Sequence, residues 1–138
     1  MQEVTILLVE DNEGDIVLTK EALREARIRN EVRVARDGQE ALDMLRHTDS
    51  LPHLILLDIN LPKIDGLELL GIIKKDERLK QIPVIMLSTS CAEKDILNSY
   101  ASHANCFITK PVDLAKFMEV VKSIEAFWIS IVRLPQNA

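Results

Sequence analysis

An α/β fold built on a parallel sheet is predicted by three observations. Short apolar runs alternate strictly with amphipathic stretches along the 138 residues. Four of those runs, Val4–Val9, Leu54–Leu57, Val84–Leu87 and Cys106–Ile108, are almost wholly apolar, the pattern of strands covered on both faces. Each connection is long enough to hold a helix, so each strand crosses a sheet face and returns parallel to the last. The length favours one domain. A chain of this size buries roughly two thirds of its unfolded surface and needs neither a metal nor a disulfide to fold.

The elements follow in order. Val4–Val9, rich in β-branched residues, is a buried strand. The stretch from about Asp15 to Ala26 places Ile16, Leu23 and Ala26 on one helical face, with Thr19 between them. Glu31–Ala35 is a half-polar strand and belongs at a sheet edge. Asp37–Gly38 marks a turn, after which Ala41, Leu42 and Leu45 face one way on a short helix. Leu54–Leu57 is a central strand. Pro62 and Gly66 bracket a loop and a helix start, and Leu67, Leu70 and Ile73 recur at helical spacing. Val84–Leu87 is a strand with Pro83 at its first edge, where a missing N–H is tolerated. Glu93–Tyr100 is a helix with a thin apolar stripe, Cys106–Ile108 the last strand, and Leu114, Phe117, Val121 and Ile124 the clearest amphipathic face. Five strands and five helices result, and a half-polar second strand fits the doubly wound, flavodoxin-like order 2-1-3-4-5.

Composition narrows the function. With 17 Lys plus Arg against 22 Asp plus Glu the net charge is -5, which weakens the case for a large nucleic-acid surface, and no helix-turn-helix unit fits beside five crossovers. Arg24, Arg27, Arg29, Arg33 and Arg36 do cluster around the first helix and second strand, as a kinase-docking patch or as a solvated edge that blunts strand pairing. No apolar run approaches the roughly 18 residues of a membrane span, and the first residues lack the basic region and cleavage site of a secretion signal. Cys91 and Cys106 form no CxxC, and His47, His53 and His103 have no metal-ligand spacing. A reduced, cytoplasmic chain is expected.

The notable polar residues lie just past strands. Glu10 and Asp11 follow the first, Asp58 the third, Ser88 and Thr89 the fourth, and Lys110 the fifth. In a parallel sheet these ends share one edge, and the strand-order reversal opens a crevice between the first and third strands. Carboxylates meeting there repel one another and raise at least one pKa unless a cation intervenes. Oxygen ligands without His or Cys select Mg²⁺, or Mn²⁺ in its place. A carboxylate nucleophile, a divalent ion, a lysine and a hydroxyl together suit phosphoryl transfer to an aspartate. Asp58 is the expected acceptor because it ends the most buried strand. Blander readings stand beside these: Glu10–Asp11 as a helix cap, Asp58 as a turn residue before Pro62, and Lys110–Pro111 as a solvated lysine and a helix-start proline.

The segments LLVEDN (7–12), ILLDINLPKIDG (55–66), VIMLSTS (84–90) and FITKP (107–111) resemble the receiver domains of bacterial two-component response regulators. The resemblance implies that Glu10 and Asp11 bind Mg²⁺, that Asp58 takes the phosphoryl group, and that Asn60 gives a backbone carbonyl to the metal. It likewise implies that Ser88 and Lys110 contact the phosphoryl group, that Phe107 is the aromatic switch, and that Pro111 follows a cis bond. LVEDNEGDIVLTKEAL, NLPKIDGLELL, ANCFITKPVDL and SIEAFW look more closely like the small single-domain regulators paired with cyanobacterial and bacterial phytochromes. That likeness implies a phytochrome histidine kinase as phosphodonor and a homodimer. Two features depart from the commonest pattern. The acidic pair is Glu-Asp where Asp-Asp is frequent, and the longer glutamate favours a water-mediated metal contact. Phe107 stands where tyrosine is frequent and offers no hydroxyl.

The chain divides into a receiver over 1–126 and an apolar extension over 127–138; so apolar an end should not face water, and it either folds back on its own domain or packs against a second copy, with Phe127, Trp128 and Ile131 the candidate dimer contacts. The expected activity is self-phosphorylation from a phosphodonor and slow self-dephosphorylation, with no turnover of outside substrates and neither nucleic acid nor membrane as partner. Three rivals compare less well. A Mg²⁺-dependent aspartyl-phosphate phosphatase wants a carboxylate where Asn60 stands. A degenerate receiver that only binds a partner would not need the full acidic set. A flavodoxin-like cofactor carrier wants a phosphate loop where Asp11-Asn12-Glu13-Gly14 repels one.

Overall fold

The computed structural model describes residues 4–26, 30–88 and 106–123. Five strands, β1 (Val4–Val9), β2 (Asn30–Ala35), β3 (Leu54–Asp58), β4 (Val84–Ser88) and β5 (Cys106–Thr109), form one sheet in the order β2-β1-β3-β4-β5. Every pairing is parallel. The helices are α1 (Glu13–Glu25), α2 (Gly38–Arg46), α3 (Gly66–Lys75) and α4 (Leu114–Ser123). Five helices were expected and four lie among the described residues; the predicted helix over 93–100 lies outside them. So do Cys91, the side chain of Phe107, and Phe127, Trp128 and Ile131 of the extension.

The two-residue period of the strands sorts their side chains into two cores. Ile6 and Leu8 of β1, Leu54 and Leu56 of β3 and Ile85 and Leu87 of β4 face Ile16 and Leu23 of α1 and Phe117 of α4. Leu7, Val9, Ile55, Leu57, Val84 and Met86 face the other way, onto Ala41, Leu42 and Leu45 of α2 and Leu69, Leu70 and Ile73 of α3. All five residues of β3 and of β4 are buried, whereas β2 is mostly half-buried, which explains its place at the edge. Each fully buried leucine or isoleucine contributes about 1.5–3 kcal/mol, so the central strands are the most firmly held part of the sheet.

Side-chain caps set the helix starts. Asn12 Oδ1 accepts from the Asp15 N–H at 2.9 Å, so α1 begins at Glu13, two residues before the sequence periodicity places it. The cap is Asn12, so Glu10 and Asp11 are not its capping residues. Asp37, read as part of a turn, caps α2 through the Glu40 N–H at 2.8 Å. Asp65 caps α3 through the Glu68 N–H at 3.0 Å. Two glycines are required by close approach. A Cβ on Gly66 would lie 2.0 Å from the Asp58 carbonyl oxygen, and one on Gly38 would lie 2.2 Å from the Ile64 carbonyl oxygen. Lys63, in the loop between β3 and α3, takes a left-handed φ of 68° and reaches to 3.6 Å from Asp37.

Of the basic cluster, Arg33 pairs with Glu31 and Arg36 with Glu13, while Arg27 and Arg29 lie outside the described residues. No helix among the described residues is long and apolar enough to cross a membrane.

Candidate functional site

Sheet register explains why distant acids meet. Val9 pairs with Leu57, so Glu10 emerges beside Asp58, the last residue of β3. Asp58 pairs in turn with Leu87, and Ser88 with Thr109, so Ser88 and Lys110 leave the same edge. Backbone bonds hold those exits: Glu10 N–H donates to Ala35 O at 2.9 Å, Ile59 N–H to Leu87 O at 3.0 Å, and Lys110 N–H to Ser88 O at 2.7 Å. Carboxylate oxygens of Glu10, Asp11 and Asp58 all lie within 4.8 Å of one another.

Lys110 reaches into this cluster from the far side. Its Nζ lies 3.0 Å from Asp58 Oδ2, 3.0 Å from Asp15 Oδ2, and in ion-pair contact with Glu10 Oε1. The lysine side chain is only 6% exposed, and Glu10 is wholly buried, so this is no solvated lysine. Asp58 Oδ1 accepts from the Asn60 N–H at 3.2 Å, so Asp58 turns the loop and faces the crevice at once. Glu10 Oε2 accepts from the Asn12 N–H at 3.2 Å.

Charge at the site is unbalanced. Burial, with the Asp58 carboxylate beside it, pushes the Glu10 carboxyl up to about 7 even though Lys110 opposes the rise. Burial alone would lower the Lys110 pKa; the carboxylates of Glu10, Asp15 and Asp58 outweigh it and raise the pKa above its ordinary value. Glu10 Oε1 is buried and meets the Lys110 ammonium in close ion-pair contact. A buried carboxyl held above its usual range and an all-oxygen donor set converging within 4.8 Å fit a hard divalent cation such as Mg²⁺ or Mn²⁺.

The structure thus brings Glu10, Asp11, Asp58 and Lys110 together. Ser88 is buried one position past the register partner of Asp58. Asn60 is exposed and its N–H is turned toward Asp58. Phe107 pairs with Met86 within β5, and the Lys110–Pro111 peptide is cis. Asp15 was missed by sequence reasoning, which took it as the start of a helix. The available signal was its spacing from Asn12, which as a cap turns the first helical turn toward the strand ends.

The site is thus an acidic crevice at the switch point of a doubly wound parallel sheet, with a buried lysine across it. The response regulator receiver domain model matches residues 6–122, and the chain belongs to that family. It is 44% identical over 135 residues to response regulator Rcp1 of Synechocystis sp., covering 94% of this chain and 92% of the relative. The solved Mn²⁺-bound form of Rcp1 superposes with a TM-score of 0.75 at 43% identity, over 96% of this chain and 99% of that one. The bacteriophytochrome response regulator AtBRR gives a TM-score of 0.84 at 43% identity, over 93% and 96% of the two chains. The phosphorylated cyanobacterial phytochrome response regulator RcpA gives 0.79 at 50% identity, over 97% and 99%.

Proposed function

We propose that this receiver takes a phosphoryl group on Asp58 from the phosphohistidine of a sensor histidine kinase, and that the kinase is a phytochrome. The observation that carries the reading is the buried Lys110 Nζ at 3.0 Å from Asp58 Oδ2, inside a cluster of further carboxylates. A carboxylate that only capped a turn would not need a desolvated ammonium. Similarity to Rcp1, AtBRR and RcpA over nearly the whole chain supports the choice of kinase.

In the transfer, an Asp58 oxygen attacks phosphorus in line with the departing imidazole. The O–P bond forms as the N–P bond breaks, and the electron pair of that bond stays on the imidazole nitrogen. The product is an acyl phosphate. Lys110 donates to phosphoryl oxygens from its place beside Asp58 and offsets their charge. The Ser88 hydroxyl supplies a further donor at the end of β4. Glu10, Asp11, Asp58 and the Asn60 carbonyl would hold the divalent cation. When bound, that cation supplies positive charge against the phosphoryl oxygens. Ser88 moves toward the phosphoryl group, and Phe107, as the switch residue, passes the signal to the neighbouring surface. Water attack on phosphorus resets the domain, so the chain acts on itself and turns over no outside substrate.

The extension, with Phe127, Trp128, Ile129, Ile131, Val132 and Leu134, pairs two copies of the chain. Sedimentation of the full chain and of one ending at Ser123 reports this: a dimer that becomes a monomer supports the pairing, and two monomers at micromolar concentration refute it. The phosphoacceptor reading is tested by mixing the protein with a phytochrome kinase autophosphorylated on histidine with radioactive phosphate. Label should move to the unmutated chain and not to Asp58→Asn. Label on Asp58→Asn, or none on either, overturns the reading.

A further inference from the structure

We infer that Asp15 is a positioning residue for Lys110, the anchor that keeps the ammonium at the phosphoryl site once a divalent cation engages the other carboxylates; the inference rests on the phosphoacceptor reading. An ammonium has three donors, and Lys110 meets three carboxylates, those of Glu10, Asp15 and Asp58. Glu10 and Asp58 also belong, with Asp11, to the group that converges for a cation. Their second oxygens accept from the Asn12 and Asn60 N–H groups, so an arriving cation competes with Lys110 for the oxygens left. Asp15 lies outside that group, and among the described residues its carboxylate is ion-paired with Lys110 alone.

Asp15 is well placed to hold still. Its N–H is fixed by the Asn12 cap, and the next residue, Ile16, is buried in the core under α1. Its side chain is 26% exposed, against 6% for Lys110, so it forms the outer lip of the crevice. An acid in a first helical turn is favoured by the helix dipole wherever it points. Glu13 meets that preference while pairing outward with Arg36, whereas Asp15 reaches a lysine 95 positions away. Lysine carries its charge on a flexible four-carbon stem, and a point charge on such a stem needs a second contact to stay aimed at one oxygen.

The test uses the full chain with acetyl phosphate at saturating Mg²⁺, its affinity for Mg²⁺ alone, and proton–nitrogen NMR of the Lys110 ammonium in the Mg²⁺-bound, donor-free protein. Asp15→Ala should lower the labelling rate of Asp58 about tenfold, the size of one lost charge-assisted hydrogen bond. Its Mg²⁺ dissociation constant should change by less than about threefold, because Asp15 is not a ligand. The ammonium signal should be sharp in the unmutated chain and broadened by solvent exchange in Asp15→Ala. Asp15→Asn, which keeps an acceptor oxygen and the fold, should recover part of the rate. An Asp15→Ala rate equal to the unmutated one overturns the inference alone, as does an ammonium signal that stays equally sharp in Asp15→Ala. Absence of any label on Asp58 in the unmutated chain overturns it together with the reading beneath it.

Discussion

Lys110 Nζ lies 3.0 Å from Asp58 Oδ2 although 52 positions separate the two residues. Among the described residues, the lysine is the cation paired with Glu10, Asp15 and Asp58 at this sheet edge. Removing it should therefore leave buried negative charge uncompensated. Lys110→Met is expected to destabilise the protein in EDTA by about 3 kcal/mol, read from urea unfolding. Added Mg²⁺ should restore more stability to this variant than to the unmutated chain, since a ligand bound only by the folded state stabilises it by mass action. Unfolding midpoints unaffected by the substitution would contradict the charge balance described.

Glu10 makes stability depend on pH. Its carboxyl is pushed up to about 7 in the folded chain, from an ordinary value of 4.5. The unfolded chain releases this proton first, so the group's contribution is fully present below about 4.5 and is lost as pH rises through about 7. Glu10→Gln removes the dependence. In EDTA the variant should gain on the order of 2 kcal/mol over the unmutated chain at pH 8, and little at pH 4. Urea unfolding across that range checks the sign, and a gain confined to low pH would reverse it.

Gly66 and Gly71, five residues apart on α3, should respond oppositely to alanine. A Cβ at Gly66 meets the Asp58 carbonyl oxygen at 2.0 Å, so Gly66→Ala must push the helix start away from the acceptor strand. A loss of about 2 kcal/mol is expected, with weaker Mg²⁺ binding. A Cβ at Gly71 meets nothing within 4 Å, so Gly71→Ala should gain about 0.5–1 kcal/mol from helix propensity alone. Thermal unfolding of the pair decides, and equal shifts in one direction would contradict the packing.

Much of this was legible in the sequence because it follows from periodicity. The apolar runs at Val4–Val9, Leu54–Leu57 and Val84–Leu87 declared buried strands, and a parallel sheet then forced their polar successors onto one edge. Glu10, Asp11, Asp58 and Lys110 were found that way. What periodicity does not encode was harder to see. Asn12 and Asp37 set helix starts through single side-chain hydrogen bonds, so α1 and α2 begin earlier than their apolar stripes suggest. Asp15 looks like any first-turn acid until the cap fixes its direction. Gly38 and Gly66 are small because backbone carbonyls from another segment press on them, a contact no local pattern contains.

Phosphorylation of Asp58 can be read by intact-mass analysis of the protein incubated with Mg²⁺ and acetyl phosphate. A single added phosphoryl group is expected, labile in acid and base as an acyl phosphate is, and absent from Asp58→Asn. An adduct that survives such treatment, or one that persists in Asp58→Asn, would contradict Asp58 as the acceptor.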